Sequence, residues 1–430
     1  MLRPPVSHRV HRSVAAAAAV LAGLSLIASG IGASPASAVT VGGDGKPITN
    51  ARGVTFGIVS HRGGALERPE NSIEAYQYSV DQGFDVIETD LLFTSDGRGV
   101  MNHNDTLQSR CTQAGQKIHL MTLAQVQQVR CEDFRTGEKT VPIPTFDEFA
   151  AVVKDSDVRI DLDIKTWSGQ PASGERRYAE RAIKLLKTYG LLERTSILTF
   201  RWSTTLPTIR KLAPKIRVVG LDNKPMDLGR VRLAASLGAS GFGIKAKDSP
   251  TNLLKYIKAK GMDPVPWEVK GSQLLSYAIH FGGKVQGLSS DTPAATRQDL
   301  VDGKININPT PGTTVTTLSK SVTIAKKATY KAKKRKYPRV MGTAVPWGRL
   351  AMLDSVKVKI TVTKGPGKGY LSIGAADSPL SSSLKVRLPK GTKSIWVKVP
   401  VGNAGKLRVF TSRKATVKLA VVEYTNLKFS

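Results

Sequence analysis

Two patterns of hydrophobic and polar positions divide the chain. Between about residues 55 and 291, short apolar segments alternate with longer stretches in which apolar residues recur every three or four positions. Short apolar runs are typical of buried strands and the longer period is typical of helices, so this region predicts β-α units around a parallel sheet. The strand candidates are 55–60, 86–92, 99–103, 158–164, 196–200, 216–221, 241–245, 264–269 and 287–290.

Nine strand candidates are one more than an eight-stranded barrel needs. We predict an α/β fold, a TIM-like (β/α)8 barrel over residues 55–305, in which 99–103 pairs with its predecessor or one late segment is a loop. Helices are predicted at 72–82, 122–130, 175–189, 204–212, 229–237, 251–260 and 271–281.

After residue 291 the pattern changes to a linker rich in Thr, Ser and Lys, and beyond its basic block at 331–336 only strand signals follow. Residues 356–363 alternate strictly between apolar and polar positions, and segments 394–401 and 416–422 do the same. A period of two is typical of half-buried strands. The pattern predicts a basic linker at 306–340 and then a small all-β sandwich-like domain at 341–430.

The amino terminus has the pattern of a signal peptide. Basic residues precede an apolar run over residues 14–31, and Ala36-Ser37-Ala38 offers a small-residue cleavage site. We expect residues 1–38 to be removed, 39–54 to lead into the barrel, and the protein to be secreted and extracellular, either free or associated with a cell wall. An uncleaved membrane anchor is the alternative, because the run approaches the ~18 residues that span a bilayer.

Export changes the interpretation of the two cysteines. Cys111 and Cys131 stand twenty positions apart, and in a secreted chain they are a natural disulfide pair. Two unpaired thiols or two metal ligands are the competing interpretation, which no CxxC spacing supports.

The positive charge is concentrated in the second region. The whole chain carries +31, and residues 310–430 contain 25 Lys or Arg and three acidic residues, a net +22. A basic module predicts an anionic partner. Because export makes nucleic acid an unlikely partner, an anionic cell wall or lipid surface is favoured, with a merely solvated basic face as the alternative.

Charged residues stand where the predicted strands end, which is the edge where barrels place catalytic groups. Residues 61–64 (HRGG) follow the first strand, and residues 69–72 (PENS) come shortly after. Glu88 and Asp90 lie two positions apart on one strand, so both side chains point to the same face.

Asp161, Asp163 and Lys165 repeat this geometry on a later strand. Inward carboxylates in an apolar strand are costly unless they bind a cation or another partner. Oxygen ligands without a His/Cys cluster suit Ca²⁺ or Mg²⁺ better than Zn²⁺.

The order of these motifs resembles that of the glycerophosphodiester phosphodiesterases. The motifs are HRGG, PENS, ETDLLFTSDG and VMNH, then IPT at 143–145, DIK at 163–165, PWEV at 266–269 and SD at 290–291. The family pattern runs HRG, PEN, E-x-D, T-x-DG and a second His, and the resemblance covers about residues 55–300.

The resemblance implies a role for each matching residue. It implies that His61 and His103 are the acid/base pair and that one divalent cation, Ca²⁺ or Mg²⁺, is bound by three carboxylates. The implied cation ligands are Glu88, Asp90 and Asp163, and the implied phosphate contacts are Arg62 and Lys165. Trp267, at the end of a predicted barrel strand, is a candidate for stacking on the substrate, with a core position as the alternative. Glu70 is left open between a cation ligand and a loop brace, and His119 and His280 are interpreted as solvated or capping residues.

The sequence departs from the family pattern in three places. Asn104 stands where the family has Asp after the second His, Asp163 stands where it usually has Glu, and residues 267–270 read WEVK instead of WTVN. The first departure affects the orientation of His103, the second shortens a cation ligand by about one methylene, and the third changes the far wall of the substrate pocket.

The resemblance implies hydrolysis of glycerophosphodiesters, or of glycerol-phosphate wall polymers, to glycerol phosphate and an alcohol. Phospholipase D-like or sphingomyelinase-like action on lipid headgroups is the alternative among enzymes. The alternative that is not an enzyme is a surface-binding protein whose catalytic activity has been weakened by Asn104 and Asp163.

Overall fold

The computed structural model describes residues 48–51, 55–223, 228–269, 272–281, 288–330, 335–340, 343–344, 353–376, 383–402 and 405–429. The predicted signal peptide and most of the predicted lead-in lie outside these residues. No helix among the described residues is long and apolar enough to cross a bilayer.

The first region contains thirteen strands and nine α-helices among its described residues. In chain order the strands are β1 (Ile48–Thr49), β2 (Thr55–Phe56), β3 (Ile58–His61), β4 (Val86–Phe93), β5 (Gly99–Met101), β6 (Arg130–Glu132), β7 (Lys139–Pro142), β8 (Arg159–Ile164), β9 (Thr195–Thr199), β10 (Arg217–Asp222), β11 (Gly241–Ile244), β12 (Asp263–Pro264) and β13 (Leu288–Ser290). The helices are α1 (Ile73–Asp81), α2 (Leu123–Val126), α3 (Phe146–Val153), α4 (Ala172–Thr188), α5 (Trp202–Leu212), α6 (Leu228–Ser236), α7 (Thr251–Ala259), α8 (Ser272–Phe281) and α9 (Pro293–Val301).

Eight parallel strands form a TIM-like sheet in the order β12-β11-β10-β9-β8-β4-β3-β13, and helices connect them. β13, the last of these strands in the chain, pairs with β3, the first. Within the described residues no ladder joins β12 to β13. β5 lies antiparallel beside β4, so the expected extra strand at 99–103 is confirmed.

The barrel differs from the prediction at one strand boundary and in helices that were not predicted, α3 and α9. The strand expected at 264–269 ends at Pro264, because prolines at 264 and 266 cannot donate to a ladder, and only an isolated bridge joins Trp267 to Lys245. Helix α3 was missed, although Thr145 and Glu148 form a capping box at its start.

The parallel arrangement decides where the site lies. β4 is buried along its whole length, as expected of a strand covered on both faces. Since the strands are parallel, the carboxyl ends of β3, β4 and β8 meet at one edge of the sheet.

The second region is built from two four-stranded antiparallel sheets, with orders β14-β21-β16-β19 and β15-β20-β17-β18. Their strands are β14 (Pro311–Tyr330), β15 (Arg335–Lys336), β16 (Leu353–Pro366), β17 (Tyr370–Ala375), β18 (Leu384–Arg387), β19 (Lys390–Pro400), β20 (Leu407–Thr411) and β21 (Ala415–Phe429). Alternating residues of both sheets, such as Val358, Ile373 and Val409, form one apolar core.

The segment predicted as a linker at 306–340 is largely a strand. β14 pairs with β21 along its length, and threonine and valine are frequent in it. Its β-branched residues favour a strand, but apolar and polar residues do not alternate regularly along it, so the alternation that predicts a strand was absent.

The sandwich domain contacts the barrel directly. Leu427 of β21 packs against the barrel core, and the His280 ring lies 3.0 Å from the carbonyl oxygen of Pro309 through Nδ1. His280, interpreted as a solvated or capping residue, is half-buried and contacts the backbone where the second region begins.

Candidate active site

Three buried carboxylates lie together at the carboxyl ends of the strands. Glu88 and Asp90 of β4 and Asp163 of β8 each offer an oxygen, and these oxygens lie within 4.8 Å of one another. The parallel register aligns Asp90 with Asp163, so two neighbouring strands supply the group.

The residues present fit a divalent cation. The group is buried, its donors are all carboxylate oxygens, and Oδ1 of Asp163 makes no hydrogen bond with any described residue. Hard oxygen donors of this kind suit Ca²⁺ or Mg²⁺. Glu70 lies outside the group.

Two cations adjoin the carboxylates. The Lys165 ammonium lies 2.6 Å from Oδ2 of Asp163 and 2.9 Å from Oδ1 of Asp90. The Arg62 guanidinium lies 3.4 Å from Oδ2 of Asp90 through Nε. Both side chains are therefore placed to contact an anionic group beside the carboxylates.

The electrostatics of the carboxylates are uneven. Burial, and then repulsion from Asp90, raise the pKa of Glu88 to about 7. Burial opposes the ionisation of Asp90 too, but Lys165, His103 and Arg62 outweigh it and bring the pKa of Asp90 to about 2. Burial raises the pKa of Asp163, although Lys165 opposes that rise. Such crowding of like charges is what a bound cation relieves.

His61 ends β3 beside Glu88. Its Nδ1 contacts the carboxylate of Asp291, and its Nε2 lies 3.8 Å from Glu88. Burial alone would lower the pKa of His61, but Glu88 and the hydrogen bond with Asp291 raise it. Asp291 thus fixes the ring, and Nε2 faces the carboxylates.

The turn after His61 depends on glycine. Arg62 has φ of 52° and Gly63 has φ of 81°, and a Cβ on Gly63 would lie 2.6 Å from the Cβ of Ala75. This turn directs the Arg62 amide to Glu88 at 3.1 Å.

His103 follows β5. Its Nδ1 lies 2.9 Å from the amide oxygen of Asn104, so the departure from the family pattern preserves a hydrogen-bond acceptor but removes a charge. Burial and the nearby Lys165 lower the pKa of His103.

Glu70 is a brace. It accepts a hydrogen bond from Arg62 at 2.8 Å and also pairs with Arg110. Arg110 precedes Cys111, which is bonded to Cys131. The disulfide is thus connected through Arg110 and Glu70 to the turn that holds Arg62.

Asn71 and Asp291 belong to the site, although neither was assigned a role from the sequence. The Asn71 amide donates to Asp90 at 2.9 Å, and its oxygen accepts from Thr89 and Tyr76. The PENS and SD motifs contain both residues, so these motifs were the available signal.

Two aromatic pairs include residues that follow strands of the sheet. Trp267 meets Phe200 edge to face, with ring centroids 5.4 Å apart, and Lys165 lies 6.0 Å from the centre of the Phe200 ring. His119 stacks on Trp167 at 4.2 Å and pairs with Asp105 at 2.7 Å. His119, interpreted as a solvated or capping residue, is not solvated, because the fold brings Trp167 against it.

A TIM-like barrel with buried carboxylates, two oriented histidines and two cations at the strand ends has the arrangement of a barrel hydrolase that acts on phosphate esters. Comparison with known proteins specifies the family. Residues 61–295, more than half of the chain, match the glycerophosphoryl diester phosphodiesterase family. The chain belongs to this family and is a phosphoric diester hydrolase of its type.

Similar proteins match the barrel portion of the chain. A glycerophosphodiester phosphodiesterase of Caldanaerobacter subterraneus subsp. tengcongensis is 28% identical over 245 residues, covering 55% of this chain and 94% of that protein. A Mycobacterium tuberculosis relative is 24% identical over 264 residues, covering 58% of this chain and 94% of its own. The solved structure of a Silicibacter pomeroyi protein, a candidate glycerophosphoryl diester phosphodiesterase, covers 59% of this chain and 95% of its own, with 20% identity and a TM-score of 0.52.

Proposed function

We propose that the protein hydrolyses glycerophosphodiesters to glycerol phosphate and an alcohol, with one divalent cation, Ca²⁺ or Mg²⁺, held by Glu88, Asp90 and Asp163. The observation that carries this proposal is the buried carboxylate group, whose oxygens lie within 4.8 Å of one another. A bound cation supplies polarisation of the phosphoryl oxygens and stabilisation of charge in the transition state.

The remaining side chains act on the substrate itself. Arg62 and Lys165 are proposed to bind the phosphate, because both cations adjoin the carboxylates. His61 and His103 are proposed to transfer protons, one from the nucleophile and one to the leaving alkoxide. Each ring has Nδ1 occupied, by Asp291 or Asn104, which leaves Nε2 for the reaction. Trp267, beside Phe200, is proposed to form the far wall of the pocket.

Chelation followed by metal addition tests the cation. Turnover of glycerophosphocholine should disappear in excess EDTA and return with Ca²⁺ or Mg²⁺. Asp163→Asn should weaken the response to the added metal, because the buried group loses a charged ligand. The matched control is Asp161→Asn on the same strand, which lies outside the carboxylate group.

His61→Ala and His103→Ala, measured in the same assay, should each lower turnover by about 10²–10⁴ with the fold intact. Full turnover after verified metal removal would overturn the proposal. A panel with glycerophosphoglycerol, teichoic acid, lysophosphatidylcholine and sphingomyelin separates the proposed substrates from lipid headgroups.

The protein is further proposed to act outside the cell. The signal-peptide pattern of residues 1–38 supports export, and so does the bond between Cys111 and Cys131, since disulfides persist in oxidising compartments. The basic sandwich domain is proposed to hold the enzyme at an anionic surface, because its net charge is +22 over residues 310–430.

A further inference from the structure

One face of the sandwich domain carries lysines around an exposed tryptophan. Along β16 and β19, buried valines alternate with outward side chains, and β21 adds one more lysine to the same outer side. We call this surface the lysine face, and its members are Lys357, Lys359, Trp396, Lys398 and Lys418.

The strand register places like charges opposite one another. Lys357 is the direct cross-strand partner of Lys398, and Lys359 is the partner of Trp396. Like charges directly opposite on a sheet are destabilising. An anion bound between the two lysines would relieve this repulsion.

The face contains little compensating negative charge. The Lys357 ammonium lies 3.6 Å from Glu423, and no described residue pairs with Lys398 or Lys418. Four lysines therefore share one acidic neighbour in the described part of the face. This imbalance favours an anionic ligand.

Trp396 gives the face an apolar surface. Its side chain is 53% exposed, and the Lys359 ammonium lies 5.3 Å from the ring centre. The residue lies within β19 and not at a loop tip, so its ring is available to a chain lying along the sheet. A large aromatic ring offers apolar contact at little entropic cost.

We propose that the lysine face binds a chain of poly(glycerol phosphate), whose repeating unit is the kind of diester that the barrel hydrolyses. This inference rests on the proposed function. Lys357 and Lys359 are two positions apart on one strand, a spacing of about 7 Å, which presents cations at intervals to successive phosphates. The glycerol units between phosphates lie against Trp396 and the lysine stems.

The test compares two charge-matched variants of the full-length protein. Lys359→Gln with Lys398→Gln removes two charges from the face. Lys368→Gln with Lys414→Gln removes two exposed charges from turns of the same domain and serves as the control. Binding to immobilised, purified poly(glycerol phosphate) is measured across a salt series, and turnover of glycerophosphocholine is measured in parallel.

The face variant should bind about tenfold more weakly than wild type, and its slope of log affinity against log salt should fall by about two, one for each lost phosphate contact. The control should bind like wild type. Both variants should keep wild-type turnover on the small diester. Trp396→Ala should weaken binding without changing the salt slope.

Equal weakening in both lysine variants would overturn the proposal, because it would indicate general attraction to a basic domain. The protein could instead bind anionic vesicles or DNA more tightly than the polymer and lose that binding in the face variant. That result would overturn poly(glycerol phosphate) as the ligand. The protein could also bind the polymer through these residues and yet hydrolyse none of the diesters. That result would support polymer binding by the lysine face and refute the proposed catalytic function.

Discussion

At the scale of single residues, Asn104 distinguishes this site. Its amide oxygen accepts the hydrogen bond at Nδ1 of His103 without adding negative charge, and the pKa of His103 is lowered by burial and by Lys165. Asn104 therefore orients the ring, and its hydrogen bond favours a higher pKa of His103, but burial and Lys165 outweigh that effect.

Asn104→Asp should raise the pKa of His103. A carboxylate at hydrogen-bond distance favours the imidazolium, and an opposite charge this close shifts a pKa by about one unit or more. The limb of the pH profile that reports His103 should move to higher pH by about that amount. The measurement is kcat/KM on glycerophosphocholine across pH 5 to 9.

Asn104→Ala is the companion variant, because it removes the acceptor and adds no charge. It should lower kcat without the shift to higher pH. A profile for Asn104→Asp that overlays the wild-type profile would show that His103 does not limit the rate.

At the scale of elements, the disulfide connects a loop to the site. The backbone at 110–112 pairs with that at 130–132, and Cys111 is bonded to Cys131. Arg110 is held at the end of this arrangement and pairs with Glu70. The hairpin β6-β7 therefore supports the turn that carries Arg62.

Replacing both cysteines by serine should lower the free energy of unfolding by roughly 3 kcal/mol, because the bridge closes a loop of about 20 residues. The KM for glycerophosphocholine should also rise, since Arg110 would no longer fix Glu70 beside Arg62. Urea unfolding and steady-state kinetics measure the two effects.

Arg110→Gln separates them, because it removes the ion pair and leaves the disulfide in place. It should raise KM with most of the stability retained. Two freely labelled thiols in unreduced, denatured, secreted protein would show that the bridge is not formed there, and would weaken the proposal of export.

At the scale of the whole molecule, the two domains share a boundary. Each residue proposed to act in catalysis lies before residue 292, within the barrel. The sandwich nevertheless packs Leu427 against the barrel core and contacts His280 through Pro309. Removing the sandwich uncovers apolar barrel surface.

A chain ending at Asn308 should keep turnover on glycerophosphocholine but unfold at a lower temperature than the full chain. Its attack on poly(glycerol phosphate) should be slower, because the lysine face is lost with the domain. Thermal unfolding measures the change in stability, and separate assays measure the turnover of glycerophosphocholine and of poly(glycerol phosphate).

Leu427→Ala is the control for the boundary, since it weakens the packing and keeps the lysine face. It should lower stability by up to about 2 kcal/mol, the lower range for truncating a buried leucine, with polymer binding intact. Loss of small-diester turnover in a folded, shortened barrel would show that the sandwich completes the active site.

Much of the fold and of the site was predictable because it depends on local patterns. The apolar runs at 86–92 and 158–164 predicted strands, and the spacing of Glu88 and Asp90 placed both on one face. The helix α3 was missed because its main local signal is a capping box. The strand β14 was missed because its β-branched residues do not alternate regularly with polar ones. The roles of Asn71 and Asp291 were missed too, because each contacts a residue on another element.

The sequence alone determined the alternation of strands and helices, the basic character of the second region and the family, because each is written in the order and type of neighbouring residues. Only the tertiary structure decided which carboxylates share a site, that Glu70 pairs with two arginines, that His119 stacks on Trp167, and that lysines of β16 and β21 share a face with Trp396. These facts depend on which strands and loops become neighbours, and packing of the whole chain sets those distances.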